Sequence, residues 1–353
     1  MVLRIDQLTF TRFIAALSIV IYHFGKDSFL FNNDYLRFIF KQANVGVSFF
    51  FVLSGFVMII AYHHKNRVSF VEYMISRLAR IYPVYILAII VLYAIDLFRN
   101  INFGDFFLNA FLIQAWIPGK ALTINYPGWS LSVEFFFYLL FPFLLNKIYR
   151  KSNLKLVALV VFVFWILSNL FINLRMLHIQ VQLPLYTKQD LLYHPVLHLN
   201  AFLVGNLAAL FFIHRLKDIR RNFLPHILLV IALLIILLKA RSGVNFHNGI
   251  LAVVFVPFIL LVSMSIDPLT AIFKKRSFQF LGDISYGIYI LQVPVWVVVS
   301  DYRLSTYLGL DPVNNFTFCF LLRLFLLILA ASLSYRYFEK PVREKIRSVA
   351  KMI

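Results

Sequence analysis

Apolar residues gather along this chain into ten blocks of 17 to 20 residues, at about 8–24, 45–62, 79–98, 130–146, 156–174, 196–213, 224–240, 249–266, 280–299 and 316–335. Each is long enough for a helix to cross a hydrocarbon core of about 30 Å. The polar stretches between them are short. The two longest connections, near 99–129 and 175–195, are still studded with aromatic and aliphatic residues. The blocks predict an all-α integral membrane protein, a bundle of about ten transmembrane helices. No soluble domain, low-complexity tract or repeat interrupts it, so residues 1–353 read as a single polytopic domain.

Composition strengthens this reading. Hydrophobic residues make up 61% of the 353, charged residues only 14%, and the mean hydropathy is +0.83, more than a soluble domain of this size can bury. The first block carries Arg12 and is followed by GKDSF rather than a small-residue cleavage site, so it is expected to stay as a helix and not leave as a signal peptide. With the N-terminus inside, 22 of the 34 Lys and Arg fall on the cytoplasmic side and 10 on the opposite side. That bias predicts both termini in the cytoplasm. The net charge of +19 is spread over alternate loops, which fits topology and anionic lipid better than nucleic acid. The one cysteine, Cys319, lies in an apolar run and reads as packing.

Ionisable residues inside apolar blocks are costly and mark candidate chemistry. Arg12 and His23 share the first block. Eleven residues of α-helix advance about 16 Å and turn roughly 20° past three full turns, so both side chains fall on one face and could line one shaft. The segment NYPGWSLSVEFFFYLLFP re-enters from the outside and puts Glu134 near the outer end of the fourth helix, at the depth expected for His23. A carboxylate beside a histidine fixes its tautomer and stabilises the imidazolium, which suits His23 as a general base with Glu134 as its partner. The alternative is that each satisfies a structural hydrogen bond at the interface. On the cytoplasmic side, SRLARIYPVY sets Arg77 and Arg80 three apart, a pairing that binds phosphate well. Positive-inside anchoring also accounts for them. Tyr82 and Pro83 then read as the interface and a helix start.

Other features carry less. Ser54, Ser130 and Ser132 lack the strand-to-helix elbow that a serine nucleophile needs. Ser54-Gly55 suits close helix contact, and Trp129 an interfacial anchor. His194 and His198 form an i, i+4 pair with no supporting Cys, Asp or Glu ligand, so no metal is assigned. Arg323, inside the last block, needs a partner that spacing does not name.

The sequence resembles the acyltransferase 3 family of bacterial integral-membrane O-acyltransferases. The resemblance rests on Arg12 with His23, VGVSFFFVLSGFVM at 45–58, SRLARIYP at 76–83, PGWSLSVEFFFYLLFP at 127–142, LGDISYGIYILQVPV at 281–295 and SYRYFEKPVR at 334–343. It implies a ten-helix enzyme of the bacterial plasma membrane, using acyl-CoA, commonly acetyl-CoA, to acylate a hydroxyl of an extracytoplasmic acceptor such as a cell-surface glycan. His23 would be the base and Glu134 its tuning partner, with direct transfer preferred over an acyl-histidine relay. Arg12, Arg77 and Arg80 would hold the donor. The chain departs from the family's pattern at Gln292, where many relatives carry histidine, because an amide can hydrogen-bond but cannot carry a proton at neutral pH. The hydrolase-like domain that follows in some members is not expected here. The competing reading is a transporter or flippase for a lipid-linked sugar or small solute, since intramembrane charges also line permeation paths; a silent membrane scaffold is disfavoured by Arg12, His23 and Glu134.

Overall fold

In a computed structural model of the chain, residues 5–96, 102–177, 186–240 and 243–349 are described. Arg4, Arg99, Arg241 and Lys351, counted above for charge bias, and the ends of the two long connections lie outside these residues. Among the described residues the structure is helical, with one isolated bridge between Arg221 and Ser265. The long elements are α1 (Gln7–Val20), α2 (Gly46–Tyr62), α3 (Phe70–Asp96), α4 (Trp129–Phe143), α5 (Leu154–Met176), α6 (Pro195–Phe211), α7 (Leu224–Lys239), α8 (Ala252–Met264), α9 (Arg276–Val298) and α10 (Phe316–Ser334), and the polar α11 (Lys340–Val349) follows.

Among the described residues, each of the ten apolar blocks overlaps one of the long helices α1–α10. Eight of the described segments are long and apolar enough to cross a membrane, while α7 and α8 are shorter, at 16 and 13 residues. At 1.5 Å per residue α8 is about 20 Å long, less than a hydrocarbon core. Several helices relax into wider π-type turns at their ends, at Ile21–Gly25, Leu144–Tyr149, Phe212–Leu216 and Tyr335–Glu339.

The third helix departs from its expected start. It begins at Phe70 and runs through Pro83, so SRLAR is helical and Pro83 lies inside the helix. Membrane helices tolerate such a proline where neighbours meet the polar groups of the distorted turn, and Tyr286 donates to the Ile81 carbonyl at 2.6 Å.

Packing depends on small residues. At the crossing of α2 and α6, a Cβ on Gly55 would collide with the Phe202 carbonyl, and one on Gly205 with that of Val52. The backbones touch there, as the Ser54-Gly55 pair suggests, because small residues let membrane helices gain dispersion contact without a hydrophobic drive. A similar approach sets Gly282 of α9 against Thr9 of α1. At the periphery, α5 exposes Leu156, Leu159, Val160, Leu167 and Leu170 at 50–59%, an apolar face suited to lipid.

Candidate active site

The site is built where α1 and α9 pack together and face α2, α3 and α4. At the centre lies a cavity of about 90 Å³ lined by Arg12, Arg80, Glu134, Glu339 and Arg343, among others. Arg12 comes from the middle of α1, Arg80 from α3, Glu134 from the second turn of α4, and Glu339 and Arg343 from the chain after α10. The three cations share this cavity with the carboxylates Glu134 and Glu339, and opposite charges gathered in one place are how a low-dielectric interior tolerates them. Glu134 accepts from Tyr138 Oη at 2.5 Å and Ser54 Oγ at 3.3 Å. Glu339, 7% exposed, accepts from Ser334 Oγ at 3.0 Å.

Arg77 does not line this cavity. Its guanidinium lies over the rings of Tyr62 and Tyr73, 5.4 and 5.8 Å from their centroids, and donates to Tyr62 Oη at 3.1 Å. Three residues along a helix turn about 300°, so Arg77 and Arg80 diverge by about 60°, one toward α2 and one toward α9. The expected clamp is therefore split into one arginine that lines the cavity and one caged by tyrosines.

His23 occupies a different layer. It sits on the π turn after α1, with Nδ1 2.7 Å from Gln292 Oε1 and its ring edge-on to Tyr126 at 4.9 Å. The expected contact with Glu134 is not made. Tyr126 opens the α4 segment at the depth of His23, and Glu134 lies eight residues further on, about 12 Å deeper along a helix. The π turn also changes the phase of His23 relative to Arg12, so only Arg12 faces the cavity. Between the layers stand Ser130 and Tyr289, which line the cavity; their hydroxyls lie 2.9 Å apart, and 3.0 and 3.1 Å from the Pro127 carbonyl, so one donates to that carbonyl while the other shares its hydrogen within the trio.

Away from His23, Tyr335 donates to Asp283 at 3.2 Å, and both border the central cavity and a wider one of about 920 Å³. Arg276, Arg336 and Lys340 line that outer space, with Arg336 stacked on Phe280 at 5.0 Å. Tyr335, Glu339, Arg343 and Asp283 were not singled out from the sequence, although they fall in the blocks SYRYFEKPVR and LGDISYGIYILQVPV. A carboxylate or arginine flanked by aromatic residues beside a membrane helix was the available signal.

Three further expectations resolve. Trp129 is not an interfacial anchor: it is 5% exposed and packs on Tyr193, His198 and His247. His198 Nε2 donates to the Leu192 carbonyl at 2.8 Å, while His194 packs on Trp116 and Tyr186. Arg323 finds its partner in Asp301, at 2.5 Å, and in the Val299 carbonyl at 2.7 Å.

Residues 5–335 match the model of the acyltransferase 3 family, described as an acyltransferase domain. The chain belongs to this family. With its apolar helices it is a multi-pass membrane protein. Acyltransferase MdmB of Streptomyces mycarofaciens is 31% identical over 166 residues, covering 44% of this chain and 42% of that protein. The O-acetyltransferase OatA of Staphylococcus aureus is 21% identical over 365 residues, covering 95% of this chain and 56% of its own length. The chain thus spans about half the length of the curated relatives it matches. No solved structure matches it.

Proposed function

We propose that this acyltransferase-family protein is an acyl-CoA-dependent O-acyltransferase of the bacterial plasma membrane, with both termini cytoplasmic. It takes an acyl group, acetyl in the first instance, from the cytoplasmic pool to a hydroxyl of an extracytoplasmic acceptor such as a cell-surface glycan. The observation that carries this reading is the layered polar core: a basic outer space, a narrow cavity holding Arg12, Arg80 and Glu134, then Ser130 with Tyr289, then His23. Such a series suits a donor with phosphates at one end and a thioester at the other.

In this reading Arg276, Arg336 and Lys340 meet the donor's phosphates. Arg80 and Arg12 flank the pantetheine arm, with Arg77 adding positive charge from its tyrosine cage. Glu134 balances the cavity arginines and so tunes the passage rather than the imidazole. The acceptor oxygen attacks the thioester carbonyl carbon as its proton passes to His23. The new C–O bond forms, the C–S bond breaks, and the departing sulfur takes the proton back from the imidazolium. General-base help of this kind contributes about 10² to 10⁴-fold, and holding both substrates supplies the rest.

The test follows labelled acetyl groups into envelope glycans in cells carrying wild-type or His23→Ala protein at matched membrane levels. Transfer is expected to fall at least about 100-fold. Full retention overturns histidine catalysis, and accumulation of an unflipped lipid-linked sugar in a deletion strain favours a transporter instead.

A further inference from the structure

We infer that Gln292, rather than Glu134, is the positioning residue for His23: it fixes the imidazole as the Nδ1–H tautomer and leaves Nε2 as the proton-accepting atom. The inference rests on the proposed role of His23 as base. An amide oxygen only accepts hydrogen bonds, so the 2.7 Å contact between Gln292 Oε1 and Nδ1 requires the proton to sit on Nδ1. The amide's own orientation is fixed from behind, because Gln292 Nε2 donates to the Tyr289 carbonyl at 2.6 Å. Turning the amide over would press two oxygen lone pairs together at that distance and lose the bond. Gln292 is fully buried, so water does not compete for either end.

The arrangement couples the base to the cavity. Tyr289, whose carbonyl holds the amide, also places its hydroxyl beside Ser130 on the cavity wall and the Pro127 carbonyl behind it. The departure at residue 292 therefore keeps an orienting function while giving up a titrating one. A neutral partner orients the ring without adding a charge that would hold the imidazolium and slow return of the proton to the leaving sulfur. The other ionisable groups around His23 are Tyr22 and Lys26 on its own segment, and Tyr126 with Tyr289 behind it.

The experiment uses permeabilised membranes containing the full-length protein, supplied with labelled acetyl-CoA, and follows label in envelope glycan against pH. Gln292→Met keeps the volume and removes the acceptor; it should lower kcat about tenfold, the worth of one hydrogen bond, with KM for acetyl-CoA unchanged. Gln292→Glu restores an acceptor but charges it, and should move the acid limb of kcat/KM upward by about one pH unit, because an anion stabilises the protonated ring. A wild-type rate in Gln292→Met, or an unmoved acid limb in Gln292→Glu, overturns the inference. If Gln292→Met does not reach the membrane, the pH profile of Gln292→Glu decides by itself. Transfer that survives His23→Ala removes the underlying base assignment; loss in His23→Ala with an unaltered Gln292→Met removes only the role of Gln292.

Discussion

Two arginines one turn apart do different work in this protein. Arg80 opens onto the cavity, whereas Arg77 is held by Tyr62 and Tyr73 through a hydrogen bond and two ring faces. Arg80→Ala is therefore expected to raise KM for acetyl-CoA about tenfold, the worth of one charge-assisted contact, at a normal level of folded protein. Arg77→Ala should instead lower thermal stability by about 1–2 kcal/mol, through the lost hydrogen bond and cation–π contacts. Kinetics and thermal melting of the two variants, purified side by side, check this; a stable Arg77→Ala with impaired donor use reverses the assignment. The residue types at 12, 23, 77, 80 and 134 were legible because charge in an apolar block is conspicuous. Their long-range pairing was not: Tyr138 lies one turn from Glu134 on α4, but Ser54 reached that carboxylate only once α2 and α4 had packed.

Helices here are aligned by backbone contact as much as by side chains. The α2–α6 crossing depends on Gly55 and Gly205 lying against opposing carbonyls, and a branched side chain at either position has no rotamer that avoids the clash. Gly55→Leu is expected to cost about 3 kcal/mol or more, seen as early loss of the monodisperse peak when detergent-solubilised protein is heated; an unchanged profile would show that the crossing can open. Because Ser54 precedes Gly55 and donates to Glu134, such a shift should also disturb the cavity. At this scale the apolar blocks gave the helices, and local departures came from turns. The wide π turns at Ile21–Gly25 and Tyr335–Glu339 carry His23, Tyr335 and Glu339, and irregular turns of this kind often accompany functional sites. No periodic pattern in the sequence announces them.

Across the whole molecule, the excess of Lys and Arg in alternate connections predicts orientation as well as solubility in lipid. A fluorescent protein fused after α11 should fold and fluoresce in the cytoplasm, and alkaline phosphatase inserted near Lys120 should be active outside while an insertion near Lys151 is silent; the reverse set would invert the direction of transfer. What the sequence determined alone is local: ten apolar blocks become helices because the hydrocarbon demands internally satisfied backbone over a fixed length, and that requirement is met within each block. Tertiary structure decided which polar groups meet. The hydrogen bond from His23 to Gln292 joins positions 269 residues apart, and Glu339 reaches the cavity that Arg12 enters from the other end of the chain. Such contacts depend on helix phase, crossing point and depth summed over the bundle, where one wide turn or one glycine contact redirects a side chain; the spacing within a single helix holds none of that information.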